Sequence, residues 1–150
     1  MKLRAIFAVC AVAALGACNA LNGGPQPAGP KPVSICDRSH FQDFLDRFSE
    51  DVRVQRTHTA FPLHKREYRH VATQIEPIPV ELALKESEVR FPVYPNPGQI
   101  IEQSLIAEVS AENDKKTEVR LSRADTEHLV VYSFEYGGCW KLTRVEDRSH

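Results

Sequence analysis

The residues best equipped for chemistry are four cysteines and a set of evenly spaced histidines. Cys139 stands in Tyr136-Gly137-Gly138-Cys139-Trp140, between a glycine pair and the chain's single tryptophan. A cysteine so placed is a metal ligand, an activated nucleophile, half of a disulfide or a buried thiol. Nucleophilic use needs a thiol pKa lowered by a helix start or a neighbouring base, and neither flanks Cys139. A zinc site needs closely spaced thiolates or imidazoles, whereas the cysteines stand at 10, 18, 36 and 139. His58, His64 and His70 recur every six residues, and one shared strand face would turn them into a metal or anion site. Pro62 interrupts that strand, and the run from His64 to His70 is rich in charge, as solvated faces are. No metal and no cofactor are expected.

A chain of 150 residues suffices for one domain. Its formal net charge of -1 leaves no basic excess for a nucleic-acid partner. The first residues stand apart. Lys2 and Arg4 precede thirteen uncharged residues, Ala5 to Ala17, short of the roughly 20 that span a bilayer. This is the pattern of a secretory signal peptide, residues 1–17. Leu15-Gly16-Ala17-Cys18 resembles the lipobox of bacterial lipoproteins. The resemblance implies cleavage before Cys18 and acylation, palmitate included, of its thiol and new amino terminus. It also implies a membrane attachment through those acyl chains. Asn19 resembles the sorting residue of the outer-membrane class, which places the protein on the periplasmic face of that membrane. Residues 19–33 hold four prolines and three glycines. So little apolar surface cannot offset ordering entropy, and 18–33 reads as a lipidated cysteine with a disordered tether. Extended, it reaches roughly 45 Å at about 3.1 Å per residue.

With Cys10 removed and Cys18 lipidated, Cys36 and Cys139 remain in a compartment where disulfides form. A bond between them closes a loop of about a hundred residues, worth roughly 4–5 kcal/mol in the chain-entropy model.

The globular part is expected over 34–150. Ser39 and Gln42 have the spacing of a capping box, and Phe41, Phe44, Leu45, Phe48 and Val52 fall on one helical stripe. Strand alternation comes next in Ile78, Val80, Leu82 and Leu84, and again in Val89, Phe91 and Val93. Pro77, Pro79 and Pro92 confine those strands to edges, ends or bulges. Asn96, Pro97 and Gln99 open a helix that the spacing of Ile101, Leu105 and Val109 would carry to 109. Strands are expected over 118–123, 129–136 and 140–145, with a turn at Asn113-Asp114 before the first. In the last hairpin a two-residue turn would put polar side chains against the apolar face. A three-residue loop, Gly137-Gly138-Cys139, instead pairs Tyr136 with Trp140, Phe134 with Leu142, Glu135 with Lys141 and Ser133 with Thr143.

These elements predict an α+β fold, a Phe-rich N-terminal helix on a curved antiparallel sheet. The run Phe41 to Gln55, with Phe61-Pro62-Leu63 after it, resembles small bacterial lipoproteins with a nuclear transport factor 2-like (cystatin-like) roll. So does the spacing of Tyr132, Phe134, Gly137, Gly138, Trp140, Leu142, Val145, Asp147 and Ser149. Such members often carry an aromatic residue where this chain has Val54. Enzymes of that superfamily place acid and base groups in the hollow between helix and sheet. Asp43, Asp46, Asp51, His58, Tyr132 and Tyr136 are the residues that the resemblance implies for such a role. No two of them form a pair with opposed environments, so no catalytic residue is assigned. Phe44, Phe48, Tyr132, Phe134, Tyr136 and Trp140 are candidates for lining a pocket, with core packing the reading placed ahead of it. The expected role is a non-enzymatic binding module for a protein or small ligand. The alternative is an envelope inhibitor or immunity-type protein that blocks a hydrolase or toxin; an enzyme using the roll cavity ranks third.

Overall fold

Phe41, Phe44, Leu45 and Phe48 form one face of α1, Phe41–Glu50, with Asp43 in its first turn and Arg47 in its last, as the helix dipole favours. The computed structural model describes residues 34–73 and 75–149, so the signal segment, Cys18 and the tether to residue 33 lie outside the described residues. The Ser39–Gln42 capping box does not form. The Asp37 carboxylate accepts both the Ser39 N–H at 2.9 Å and its hydroxyl at 2.6 Å, and Gln42 turns instead to Asp46. His40 therefore precedes the helix without capping it.

The helix ends at Asp51, whose backbone is extended and whose carboxylate accepts the Arg53 N–H at 2.8 Å, starting α2, Val52–Thr57. That break rotates Val52 off the expected stripe, to 42% exposure, and buries Gln55 completely.

Six strands complete the domain: β1 (Thr59–Arg69), β2 (Ile78–Leu84), β3 (Leu105–Asn113), β4 (Lys116–Arg123), β5 (Leu129–Tyr136) and β6 (Trp140–Asp147). They form one sheet in the order β2-β1-β6-β5-β4-β3. The sheet is mixed rather than wholly antiparallel, because β1 runs parallel to β6. No hairpin joins those two strands, so none fixes their relative direction. β1 continues through Pro62, contrary to expectation, by shifting its register against β6 between Thr59 and His64. Pro79 lies in β2, an edge strand, where a missing N–H is tolerated.

Two stretches differ from the sequence reading. Val89, Phe91 and Val93 form no strand; a 3-10 turn, Glu86–Glu88, leads into irregular chain, since Pro92 and Pro95 offer no ladder donors. The capping box of Asn96 and Gln99 does form, but α3 spans only Pro97–Glu102. Ser104 takes a positive φ of 53, and Leu105 and Val109 belong to β3, where Val109 faces the buried Val119. Cross-strand pairing thus overrides helical spacing.

The last hairpin has the expected three-residue loop. Tyr136 opposes Trp140, Glu135 opposes Lys141 and Phe134 opposes Leu142, with Gly138 at φ +92 supplying the left-handed residue. One step further, Ser133 opposes Arg144 instead of Thr143. Thr143 is bulged, and its hydroxyl donates to the Ser133 carbonyl. The core gathers Phe44, Leu45 and Phe48 against Leu63, Val119, Leu121, Phe134, Trp140 and Leu142. Among the described residues, this core and the Cys36–Cys139 disulfide both belong to the roll.

Candidate functional site

Cys36 and Cys139 are joined by a disulfide with a Cα–Cα distance of 4.3 Å. The Tyr136 hydroxyl donates to the Cys36 carbonyl at 3.0 Å and ties down the same end of the roll. His58 completes this corner. Its Nδ1 lies 3.2 Å from the Trp140 carbonyl and 3.5 Å from Cys139 Sγ, and its ring meets the edge of Phe44. His64 is exposed on the opposite face of β1 from the buried Leu63, and His70 lies beyond the strand's end. The three histidines therefore share no face. Among the described residues, no group of three His, Cys, Asp or Glu side chains is placed to hold a metal ion.

The acid and base candidates are equally scattered. Asp43 and Asp46 are exposed on the outer side of α1. Asp51 is committed to capping α2, and the Arg53 hydrogen bonds hold its carboxyl below the usual range. Burial pushes the Tyr132 phenol well above its ordinary pKa, with Tyr94 and Asp147 adding to the effect.

Phe44, Phe48, Phe134 and Trp140 are at most 2% exposed and Tyr132 only 6%. Their rings fill the space between helix and sheet. Phe48 and Phe134 lie 5.3 Å apart edge to face, and Tyr94 meets Tyr132 at 4.9 Å. These residues are core, although Tyr132 and Phe134 also border clefts. Tyr94 escaped the sequence reading, and so did its anchor. Gln55 accepts the N–H groups of Val93 at 2.7 Å and Tyr94 at 3.2 Å, and donates to the Tyr94 carbonyl at 2.9 Å. One buried amide thus replaces the ladder that the prolines deny to this segment. Burial raises the Tyr94 phenol to about 12, with the Asp46 charge adding to the effect, so it stays protonated.

Pinned in this way, Pro92 and Val93 form a wall shared by two clefts. The larger, about 320 Å³, has a floor of Leu63, Leu84, Val89 and Val145 and a rim of Lys65, Glu88 and Arg90. Lys65 is paired with Glu67 at 2.7 Å. No acidic partner among the described residues reaches Arg90, which is exposed. The smaller cleft, about 220 Å³, is lined by Tyr132, His128, Gln99 and Gln103 together with apolar neighbours.

No family model matches the sequence, and no curated protein matches it. Among solved structures the chain is similar to a nuclear transport factor 2-like protein from Bacteroides fragilis, with a TM-score of 0.53 over 73% of this chain. The fold is nuclear transport factor 2-like. Identity is 17% and the match spans 47% of the Bacteroides protein, about half its length, so the likeness carries architecture and no activity. The nuclear transport factor 2-like scaffold serves ligand binding and catalysis alike. Here its hollow is occupied at the helix end by aromatic rings and divided at the open end by the Pro92–Val93 wall. The convex side of the roll is ionic. Glu146, 9% exposed, accepts from Arg148 at 2.8 Å and faces Arg66 at 3.6 Å, so its carboxyl is held below the usual range. Glu81 bridges Arg66 and Arg144 beside it. Among the described residues no helix is long and apolar enough to cross a membrane.

Proposed function

We propose that this protein is a non-enzymatic binding module of the bacterial envelope, tethered by acyl chains on Cys18 to the periplasmic face of the outer membrane. The larger concave cleft is its ligand site. The anchor rests on the lipobox-like Leu15 to Cys18 and the proline-rich stretch after it. Changing Cys18 to Ser is expected to move the protein from the membrane fraction to the soluble fraction. Continued sedimentation with membranes would refute the anchor.

One observation supports the ligand reading above all. The 320 Å³ cleft combines an apolar floor with a rim guanidinium, Arg90, that has no acidic partner among the described residues. With Lys65 and Arg90 against the single carboxylate of Glu88, the rim is net positive over an apolar floor, which fits a small amphipathic anion. Octanoate tests this against octanol, which has the same chain and no charge. Octanoate is expected to bind and to shift the amide signals of Leu63 and Val93 in NMR. Arg90→Ala is expected to weaken binding about tenfold or more, the usual worth of a hydrogen bond to a charged group. Equal binding of octanol and octanoate would sink the anionic reading.

A second reading has its own observation. The connection between β1 and β2 carries Ile75, 100% exposed, and Val71, 37% exposed. Such a loop is suited to insertion into the active site of a hydrolase or toxin, as an inhibitor or immunity-type protein would do. Affinity capture from an envelope extract separates the two. A stoichiometric hydrolase or toxin selects inhibition, and a bound small molecule selects the cleft.

A further inference from the structure

The disulfide corner is chemically lopsided. A carbonyl oxygen can only accept, so the 3.2 Å contact with the Trp140 carbonyl places a proton on His58 Nδ1. That N–H also lies 3.5 Å from Cys139 Sγ. The imidazole is held there, because the His58 backbone N–H donates to Val54, its carbonyl accepts from Leu142, and Phe44 packs on the ring. Cys36 stands in the opposite setting. Among the described residues no hydrogen-bond donor reaches its sulfur. Asp37, next in the chain, is a carboxylate that the Ser39 hydroxyl and N–H hold below the usual range. Arg38 is turned away to Asp114. Both cysteines are partly exposed.

A thiolate that attacks a disulfide bonds to one sulfur and expels the other, and the sulfur that better carries negative charge departs faster. Departure of Cys139 puts the charge where an N–H already points, whereas departure of Cys36 puts it next to a carboxylate in the chain. The sequence shows no base beside Cys139 because His58 lies 81 positions away. We propose that Cys36 is an S-thiolation site for a low-molecular-weight thiol, with Cys139 the sulfur that leaves and returns under a hydrogen bond from His58. In opening, the thiolate RS⁻ bonds to Cys36 Sγ. The bond to Cys139 breaks, and its electron pair stays on Cys139 Sγ, which accepts the His58 N–H. Closing is the reverse: the Cys139 thiolate attacks Cys36 Sγ and expels RS⁻, which takes a proton from water. When the reduced protein meets the disulfide RSSR, Cys36 first takes one RS half and the other leaves as a thiol. Two cysteine thiols are then oxidised and one RSSR is reduced to two RSH.

The test exposes the disulfide-bonded protein to glutathione in native buffer, quenches in acid and maps both cysteines by mass spectrometry. Glutathione is expected on Cys36 over Cys139 by about ten to one. His58→Phe keeps the bridge and an aromatic ring against Phe44 but removes the donor. It is expected to slow opening about tenfold and to bring the two sulfurs toward equal occupancy. His58→Asn, with a short side-chain N–H, is expected to recover most of the rate. The sign separates this role from packing, since a corner that had merely lost packing would open faster. Glutathione spread equally over both sulfurs in the wild type, or carried mainly by Cys139, overturns the proposal. So does opening in His58→Phe as fast as wild type or faster, or in His58→Asn as slow as in His58→Phe.

Discussion

Reducing the Cys36–Cys139 disulfide is expected to lower the unfolding free energy by about 4–5 kcal/mol. The magnitude comes from the sequence separation of 103 residues. With that loop open, the unfolded chain regains the conformations that closure denies it. A domain of this size is stable by only about 5–15 kcal/mol, so the loss takes a large share. The contacts left at this corner offset little of it. Arg38–Asp114 is an exposed ion pair, a class worth close to nothing, and Tyr136 contributes one hydrogen bond to the Cys36 carbonyl. Urea unfolding with and without reductant measures the effect. Cys36→Ala, Cys139→Ala and the double variant should all match the reduced wild type. An unchanged midpoint on reduction would show that the loop closure contributes nothing.

Gln55→Leu should cost about 2–4 kcal/mol, although the new side chain is of similar size and more apolar. The site is fully buried, and the substitution strands the N–H groups of Val93 and Tyr94 and the Tyr94 carbonyl. Its signature is local as well as global. Exchange of the Val93 and Tyr94 amides should accelerate by more than the global loss explains, and octanoate binding should fall because the cleft loses its Pro92–Val93 wall. Gln55→Glu keeps the acceptor that serves the two N–H groups, so it separates that role from the donation to Tyr94. If these amides exchange as before in Gln55→Leu, the segment is held by something other than this amide.

How much of this was legible depended on whether a residue's role lay in a local pattern. The last hairpin could be read to the residue at its tip, because a glycine pair and two faces of opposite polarity admit one register. The Phe-rich stripe identified α1 for the same reason. Gln55 could not be found that way. Within a helical pattern a polar residue reads as solvent-facing, and only the break at Asp51 turns it inward. Its partners lie 38 and 39 positions downstream, in a stretch whose alternation imitates a strand. The signal for that stretch was present in Pro92 and Pro95, which remove ladder donors on either side of Tyr94. The Ser133–Arg144 bulge was also hidden, since pairing by alternation assumes an uninterrupted ladder. As to the site, the sequence singled out the aromatic residues and favoured filling over lining without deciding between them. That difference is set by ring positions in three dimensions.

The disulfide also decides how the roll carries load. A pull on the chain ahead of Cys36 passes through the sulfur bridge into the β5–β6 loop, without crossing α1 or the edge strands. The whole stretch between the two cysteines is bypassed. Tension between the chain's ends can extend only the residues before Cys36 and those after Cys139, so β6 is the first strand to shear. Without the bridge the same pull would begin at the helix and peel it from the sheet. The bridge thus makes the roll a mechanical shunt, and of the larger cleft's floor only Val145, on β6, lies in the loaded path.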